Sequence, residues 1–456
     1  MPHLPLFRSL IPELLEDRLQ EGIRHALSQG ADGAEAFVSV SRSSKAKVQN
    51  GVLEDLTTSK RGGLGVRVMR GGRTGLATTT DLGRDDFRDL FSQAGALAEV
   101  GDVDPWLRQA DPAGTDDLPS RYDPEVAQLT PEWRMAKALE LEAHARSASP
   151  QVCAVREASW RDGVGASLLL TQRGIRCADL ASSCSASIDL AVASDQDRQA
   201  GWHWEVARHP QGVDLQRIGR LAAEKGLQKL DPRQLPAGRY AVVLHPEVTV
   251  DLLGVIAGML SAEEVIKNRS LFEGKLNQLI SSRQLTLVDD GRLVGGLGTT
   301  PWDGEGLPTR RNVLIEQGCL RSYLHTLRTA AELGQPSTAS AGRGVGSNPG
   351  ITTFNLQPLP GTAAPEALLK EAGDGVLLTE IMGLHTVDPV SGDLSVGASG
   401  VRIRNGVLAE SVDRMTFAGN LKDLLQGIAG VGADLTWYGS SAGVSLLLDP
   451  VALGGC

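Results

Sequence analysis

Four acidic residues that lie close together in the chain are the first candidates for chemistry. Asp289 and Asp290 end the apolar run that begins at Leu285, and Asp303 and Glu305 follow a glycine-rich segment. Paired carboxylates can serve as general acid and base or can ligate a cation. Acids in turns more commonly accept hydrogen bonds from their own backbone. From the residues alone both interpretations stay open, and the turn interpretation is favoured.

The histidines do not have the spacing of a zinc-peptidase helix. Such a helix carries two histidines one turn apart, so that both face the ion while a glutamate activates water. The two nearest in this chain, His203 and His209, are six residues apart. His203 shares a strand face with Glu205, which is more typical of a surface pair than of a site. We therefore predict no metal site and no catalytic residue in this chain. The histidines are His3, His25, His144, His203, His209, His245, His325 and His385.

A serine-hydrolase pattern near the end of the chain lacks its context. Gly439 to Gly443, with the sequence GSSAG, fits the G-x-S-x-G pattern of a nucleophile elbow. The elbow requires a helix after the serine, and then an acid and a histidine further along the chain. The segment that follows, VSLLL, indicates a strand, and no histidine comes after it. Ser441 is therefore predicted to have no catalytic role.

Two GGLG segments offer pieces of a phosphate-binding loop. They are Gly62 to Gly65 and Gly295 to Gly298. Neither has the strand before it and the helix after it that a dinucleotide-binding fingerprint needs. Tight turns are the preferred interpretation of both.

Length, composition and charge exclude several classes of protein. A chain of 456 residues is too long for one ordinary core, and 53 glycines with few aromatic residues favour many hairpins. A net charge of −10 with scattered basic residues argues against nucleic-acid binding. No apolar run is long enough to cross a membrane or to form a signal peptide. Five cysteines without a C-x-x-C pattern indicate a reducing compartment, so we expect a cytoplasmic protein: Cys153, Cys177, Cys184, Cys319 and Cys456.

The periodicity of the first half predicts helices that flank a meandering antiparallel sheet. The hairpin signal Asn50-Gly51 separates two strand-like runs, and a second turn lies at Arg70 to Arg73. The predicted helices cover residues 11–29, 84–98, 131–148 and 213–230. The predicted strands cover residues 34–40, 45–48, 52–57, 64–69 and 74–79, with further strands between 151 and 206.

The second half is predicted to be rich in strands. After the turn-rich run Asp231 to Gly238 comes a strand at 240–244 and a helix at 247–260 that is apolar nearly all round and hence buried. Beyond it, only residues 366–371 and 421–428 have helical patterns. The fold class is therefore α+β, with an N-terminal mixed helix and antiparallel-sheet domain at 1–230, in sub-parts of about 1–100 and 121–230, and a β-rich C-terminal domain at 236–456.

A series of short motifs, in order along most of the chain, resembles the TldD/PmbA family. It includes GADGAEAFVSV, VQNGVLEDL and GLGVRV near the start, then AGRYAVVLHPEV, LTLVDDG, TPWDGEGLPTRRNVLIEQGCLRSYL and SGDLSVGASGVRIRNGV. The resemblance implies the fold of that family in both domains. TldD-type members are zinc peptidases with a His-Glu-x-x-x-His helix and a further cysteine ligand in the C-terminal region.

This chain departs from the TldD type at the metal motif. The corresponding segment, Val250 to Met259, reads VDLLGVIAGM, and its only late cysteine is the terminal Cys456. The chain therefore resembles the PmbA or TldE type. The resemblance implies a heterodimer with a TldD-type chain, whose zinc cleaves unfolded peptides in an enclosed chamber. Peptide maturation and antitoxin degradation are the roles it suggests.

Three hypotheses about function follow. In the first, the chain is a non-catalytic subunit of a two-chain zinc peptidase, without a cofactor of its own. In the others it is an autonomous hydrolase with a site near Asp303 and Glu305, or a scaffold that binds peptides. Under the first hypothesis, Asp303, Glu305 and Arg310 are the predicted contacts at the chamber or at the joint between subunits.

Overall fold

A computed structural model describes residues 4–114 and 118–455. The predictions that involve His3 and Cys456 lie outside the described residues. The predicted α+β class is confirmed, because helices cover sheets in both halves of the chain.

One six-stranded antiparallel sheet organises the first half of the chain. Its strands lie in the order β3-β2-β1-β4-β5-β6. The predicted turns at Asn50-Gly51 and Gly71-Gly72 are confirmed, since all four residues have positive φ. The strands are β1 Gly33–Gln49, β2 Val52–Arg70, β3 Arg73–Thr79, β4 Val152–Thr171, β5 Arg176–Ala193 and β6 Arg198–Ala207.

The first strand is longer than its sequence pattern indicates. Separate runs were predicted at 34–40 and 45–48, but β1 is continuous through the polar stretch Ser41 to Ser44. Both edges of β1 are paired there, with β2 on one side and β4 on the other. Backbone pairing on two sides holds a polar stretch in a strand even though it buries little apolar surface.

Helices cover this sheet in two groups over two cores. Helices α2 and α3 enclose one cluster of apolar side chains, and α5 and α6 enclose another. Thr130 begins α5 by accepting a hydrogen bond from the backbone N–H of Trp133, and Asp214 begins α6 in the same way. The helices are α1 Leu4–Leu10, α2 Glu13–Ser28, α3 Arg88–Val100, α4 Pro124–Gln128, α5 Pro131–Ala148 and α6 Leu215–Leu227.

A closed ring of five strands forms the centre of the second half. Strand β7 pairs with β14 and β20, and the ring continues through β15 and β16 back to β20. Strand β17 adds to β20 outside the ring. The members are β7 Gly238–Leu244, β14 Gly375–Met382, β15 Asp393–Arg404, β16 Val407–Asn420, β17 Ile428–Val431 and β20 Leu446–Gly455.

A second sheet carries the acidic, glycine-rich segment. Its order is β10-β9-β8-β13-β19-β18, so β18 is an edge strand. The strands are β8 Leu287–Asp290, β9 Arg311–Glu316, β10 Cys319–Leu320, β13 Leu356–Pro358, β18 Thr436–Tyr438 and β19 Ser441–Gly443; β11 Ala341–Gly342 and β12 Gly350–Ile351 pair separately. The remaining helices are α7 Pro246–Met259, α8 Ala262–Ile266, α9 Leu327–Leu333, α10 Pro365–Ala372 and α11 Leu421–Gln426.

Two predictions for the second half are wrong in detail. Helices α8 and α9 were not predicted, because each is too short to give a clear period. Helix α7 is not buried all round: Asp251, Gly254 and Gly258 are exposed, while the opposite face packs in the core.

The first GGLG segment is not a turn. Gly62 to Gly65 lie within β2, and a Cβ on Gly65 would come 2.0 Å from the carbonyl oxygen of Val345. Glycine is needed there because a loop of the C-terminal domain crosses the strand at backbone contact distance. The second segment is a turn, as predicted, with positive φ at Gly295.

In the part of the chain that the structure describes, no helix is long and apolar enough to cross a membrane.

Candidate functional site

A cleft of about 820 Å³ lies between the two halves of the chain. The N-terminal half contributes β6 and α6 to its walls, with His203 and Arg217 among the lining residues. The C-terminal half contributes the start of α7 and the hairpin of β18, with Tyr438 and Asp434. A concave space of this size between two domains is the usual place for a ligand.

His203, Glu205 and Arg217 form a charged group on one wall of the cleft. Arg217 donates two hydrogen bonds to the Glu205 carboxylate, at 2.6 and 2.7 Å, and the His203 ring lies 3.7 Å from it. Burial alone would raise the pKa of Glu205, but the neighbouring His203 ring and the hydrogen bonds and charge of Arg217 outweigh it and lower the pKa to about 2. Glu205 is therefore an anion held in place by its neighbours.

The expectation of a surface pair at His203 and Glu205 is wrong. His203 is only 7% exposed, and its Nδ1 is buried without a hydrogen-bond partner among the described residues. Alternation along a strand places the two side chains on one face, but sequence does not show that the C-terminal domain covers that face.

The opposite wall is held by hydrogen bonds within the C-terminal domain. Asp434 accepts hydrogen bonds from the backbone N–H and the hydroxyl of Ser445, at 2.9 and 2.6 Å. His245 caps the start of α7, because its side chain accepts a hydrogen bond from the backbone N–H of Glu247. The carboxylate of Glu247 forms an ion pair with Lys225 of α6 at 2.5 Å. Burial lowers the pKa of His245, which favours the neutral form of its ring. The walls are thus tied together where α6 meets α7.

Two strand edges face the cleft. Strand β6 is the last strand of the first sheet, and β18 is the last strand of the second. The consecutive residues 203–206 of β6 and 436–439 at β18 all line the cleft. Successive side chains of a strand point to opposite faces, so a consecutive run along a cavity means that the strand edge borders it. Such an edge can pair with an extended chain.

The exposed face of α7 borders a shallower depression of about 480 Å³. Asp251, Gly254 and Val255 lie on one side of it, and Leu384 and His385 on the other. Burial and, to a lesser degree, the charge of Glu247 raise the pKa of Asp251.

The serine pattern has a structural explanation. Ser441 and Gly443 lie in β19, and strand β20 follows instead of a helix. A Cβ on Gly443 would come 2.0 Å from the carbonyl oxygen of Pro246, so the glycine allows β19 to pass the start of α7. The strand predicted after the serine is confirmed.

The acids of the signature segment hold the chain's own backbone, as the turn interpretation predicts. Asp303 accepts hydrogen bonds from the N–H groups of Glu305, Leu307 and Ala341, and Glu305 accepts one from Leu327 at 2.8 Å. Burial raises the pKa of Asp303 to about 6 and, together with the nearby Asp303, that of Glu305 to about 8. These carboxylates shape the loop.

Burial also corrects the expected partner contacts at these acids. Asp303 is 5% exposed and Glu305 9% exposed, so neither carboxylate is presented to another chain. Arg310 is exposed and borders a cavity of about 230 Å³ with Asn312 and His325. Burial lowers the pKa of His325 to about 4, so this cavity's fixed positive charge comes from arginine.

A buried ion network between the domains was not predicted. Glu35 of β1 pairs with Arg67 of β2 at 2.7 Å and with Arg343 of the C-terminal domain. Burial works to raise the pKa of Glu35, but the charges of Arg67 and Arg343 outweigh it and lower the pKa. In the sequence, this network is indicated only by Glu35 and Arg67, which are charged residues within apolar strand segments.

Comparison with known protein families identifies the family of this chain. Residues 34–98 match the model of PmbA/TldA metallopeptidase domain 1, residues 124–230 that of the central domain and residues 237–455 that of the C-terminal domain. The chain belongs to the PmbA/TldD family. It is therefore related to metalloproteases along nearly its whole length.

Individual relatives agree with this assignment. The chain is 28% identical over 444 residues to metalloprotease PmbA of Escherichia coli O157:H7, with 96% of each chain covered. It is similar to the crystal structure of a putative modulator of a DNA gyrase from Thermotoga maritima, with a TM-score of 0.88, 26% identity and coverage of 96% and 100%. TldE from Thermococcus kodakarensis shares the fold, with a TM-score of 0.87, 20% identity and coverage of 97% and 100%.

The metal that the family implies does not fit the residues on α7. A catalytic zinc takes three protein ligands and an open position. Only Asp251 and His385 among the residues around the depression carry groups that bind zinc. Across residues 4–114 and 118–455, no three His, Cys, Asp or Glu side chains are grouped closely enough to hold a metal.

Proposed function

We propose that this chain is the non-catalytic, PmbA/TldE-type subunit of a heterodimeric zinc peptidase that cleaves unfolded peptides. The observation that carries the proposal is α7. This helix packs between the strand ring and the second sheet. Its exposed face carries Asp251, two glycines and Val255 in place of a set of zinc ligands. The family fold is retained along the chain while the means to hold zinc is lost. The zinc then belongs to a TldD-type partner.

The cleft supports a role in holding the peptide. An extended chain can pair with the edge of β6 or β18 through main-chain hydrogen bonds, which do not depend on its sequence. A folded protein is too large to bring a strand into a cleft of about 820 Å³. The subunit would thus select unfolded substrates, as in peptide maturation or the degradation of a labile antitoxin.

Arg310 is the residue that we propose for contact with the partner. It is exposed, whereas Asp303 and Glu305 act indirectly by fixing the loop that leads to it. When a charged group is paired with an opposite charge and desolvated at a joint between subunits, removing one of the two partners costs about 2–5 kcal/mol of binding free energy.

The test mixes this chain with a TldD-type chain from the same source and an unfolded peptide, and follows cleavage by mass spectrometry. Cleavage is expected only when both chains are present, and it should stop when zinc is removed from the partner before mixing. Cleavage by this chain alone would refute the proposal. So would an equal rate from the partner with and without this chain.

A matched pair of variants tests the cleft. Tyr438 and Ser441 are the hydrogen-bonded pair that closes the two-residue hairpin of β18 and β19. The next pair, Trp437 and Ala442, is then a non-hydrogen-bonded pair, so the N–H of Trp437 points away from β19 to the free edge of β18. Trp437→Pro removes that donor, and Trp437→Ala keeps it. We expect the proline variant to bind peptide roughly five- to tenfold more weakly than the alanine variant, the loss of about one hydrogen bond. Equal binding by both would exclude this edge.

A scaffold that binds peptides without cleaving them is the second candidate, because the same two edges would serve it. The mixing experiment separates the two, since a scaffold gives peptide binding to this chain but no dependence of cleavage on it. An autonomous hydrolase at Asp303 and Glu305 is not favoured, because both carboxylates are buried and bonded to backbone.

A further inference from the structure

The outer edge of β2 is open along its first half. Strand β3 pairs with β2 only from Leu64 to Arg70, so Val52 to Gly63 have a partner strand on one side alone, in β1. Along Val52 to Arg61 every residue is exposed except Asp55, which is half-buried. The described residues make no backbone hydrogen bond to this edge. A long free edge is a template for another strand.

The charges on this edge are ordered. Its sequence from Val52 to Arg61 is VLEDLTTSKR, with the acids Glu54 and Asp55 at one end and the bases Lys60 and Arg61 at the other. The exposed apolar residues Val52, Leu53 and Leu56 lie on the same segment. Charged residues on an edge usually oppose pairing because like charges meet. An antiparallel copy of this segment instead brings its bases to the acids.

Symmetry restricts how two copies of the strand can pair. A two-fold axis perpendicular to the sheet relates them, and residues opposite each other lie on the same face, so their numbers differ by an even number. With Thr57 opposite Thr57 of the second copy, Glu54 lies opposite Lys60. Asp55 then lies opposite Ser59, with Arg61 at the diagonal position. Both acids therefore meet a base, and the two-fold axis repeats each pair.

The same register also places the exposed leucine favourably. Leu56 lies opposite Thr58 of the second copy and diagonal to its Leu56, within reach for side-chain contact on one face. Moving the register by two residues towards Leu56 takes Glu54 from Lys60 to Thr58 and leaves Asp55 opposite Thr57. That shift leaves Glu54 only diagonal to Lys60 and brings the two Asp55 side chains to diagonal positions, so the arrangement about Thr57 is favoured over it.

We propose that the β2 edge of this chain pairs with the β2 edge of a second copy, antiparallel about Thr57, to form a symmetric dimer. The two six-stranded sheets then continue as one across the axis. This interaction surface lies in the N-terminal half, and the inference does not rest on the proposed peptidase role.

The test is a charge exchange followed by analytical ultracentrifugation. Across the axis, Glu54→Lys and Lys60→Glu each replace two attractive pairs by two repulsive ones, because the axis doubles every change. Glu54→Lys also breaks the ion pair between Glu54 and Lys47 of the same chain, which Lys60→Glu leaves in place. We expect each variant to weaken the dimer at least tenfold. Mixed together they should form a dimer again, since the lysine introduced in one chain meets the glutamate introduced in the other, and the native Lys60 and Glu54 meet at the second position. Raising the salt concentration should weaken the wild-type dimer.

Glu263→Lys is the matched control, because Glu263 of α8 forms an ion pair with Lys267, the residue that follows the helix, and both side chains are exposed. It should leave the dimer unchanged. A wild-type chain that stays monomeric up to its solubility limit would overturn the proposal. So would a dimer that both variants leave intact, or two variants that fail to associate on mixing. If only a complex with a TldD-type chain were sensitive to Glu54→Lys, the edge would belong to that partner and the proposal would fail.

Discussion

Arg343 forms a buried ion pair with Glu35, although the two residues are 308 positions apart in the chain. Their side chains are 3% and 5% exposed. Because Glu35 lies in the first sheet and Arg343 in the C-terminal half, the pair joins the two domains on one side of the molecule, and Arg67 shares the same carboxylate.

Glu35→Gln should destabilise the protein strongly. Two buried guanidinium groups would lose their anion, which costs about 3–5 kcal/mol for a broken buried pair. Scanning calorimetry should show a Tm lower by several degrees. The exposed pair of Arg404 and Glu410 supplies the control, and Glu410→Gln should change Tm little.

The effect of Glu35→Gln should depend on pH in a defined direction. The folded-state pKa of Glu35 lies below its usual value of 4.5, so its stabilisation is present above that pH and is lost as the pH falls through the folded-state pKa. The difference in Tm between wild type and variant should therefore narrow in acid. A difference that is constant with pH would contradict the ion pair.

Glu305→Gln should stabilise the protein at alkaline pH. The folded-state pKa of Glu305 is raised to about 8, so the folded protein holds a proton that the unfolded chain releases above pH 4.5. The contribution of Glu305 to the free energy of unfolding therefore falls as the pH rises towards 8. Glutamine does not ionise and so removes that loss, and its amide oxygen can still accept the hydrogen bond from the backbone N–H of Leu327. We expect a gain on the order of 2 kcal/mol at pH 9 and little change at pH 5. The exposed Glu316→Gln is the control; a gain that does not grow with pH would disprove the shift.

Zinc should not bind this chain stoichiometrically when it is purified alone. The depression beside α7 offers one carboxylate and one imidazole, fewer than a zinc site needs. Elemental analysis after dialysis against a mild chelator should find well under one zinc per chain. Near-equimolar zinc would show that this chain has a metal site of its own.

Arg310→Glu should weaken assembly with a TldD-type chain at least tenfold, because it reverses a charge proposed to be desolvated at the joint between subunits. Titration of one labelled chain with the other measures the affinity. The neighbouring Arg311→Glu is the matched control, since Arg311 is also exposed but does not border the cavity. If both variants or neither weakened assembly, Arg310 would not be a specific contact.

Local chemistry predicted much of the secondary structure. Pro131 to Ala148 forms α5 with the predicted bounds, because a capping threonine and a proline start the helix there. The Asn50-Gly51 turn is likewise determined by neighbours in sequence, since both residues tolerate positive φ. The order of the family motifs along the chain was sufficient to predict the fold.

Packing between distant segments determined the rest. Position 65 in β2 requires glycine because the backbone of Val345 passes against it, and His203 is buried because a second domain covers its face. Neither neighbour is close in sequence, so neither leaves a periodic signal.

The sequence by itself determined the fold class, the family and the loss of the metal motif, because these depend on residue types and on spacing within single elements. Only the tertiary structure decided that Asp303 and Glu305 are buried while Arg310 is exposed, and that the edges of β6 and β18 face one cleft. Burial and the meeting of strand edges depend on how separate elements pack. That packing is the sum of many weak contacts between residues far apart in the chain.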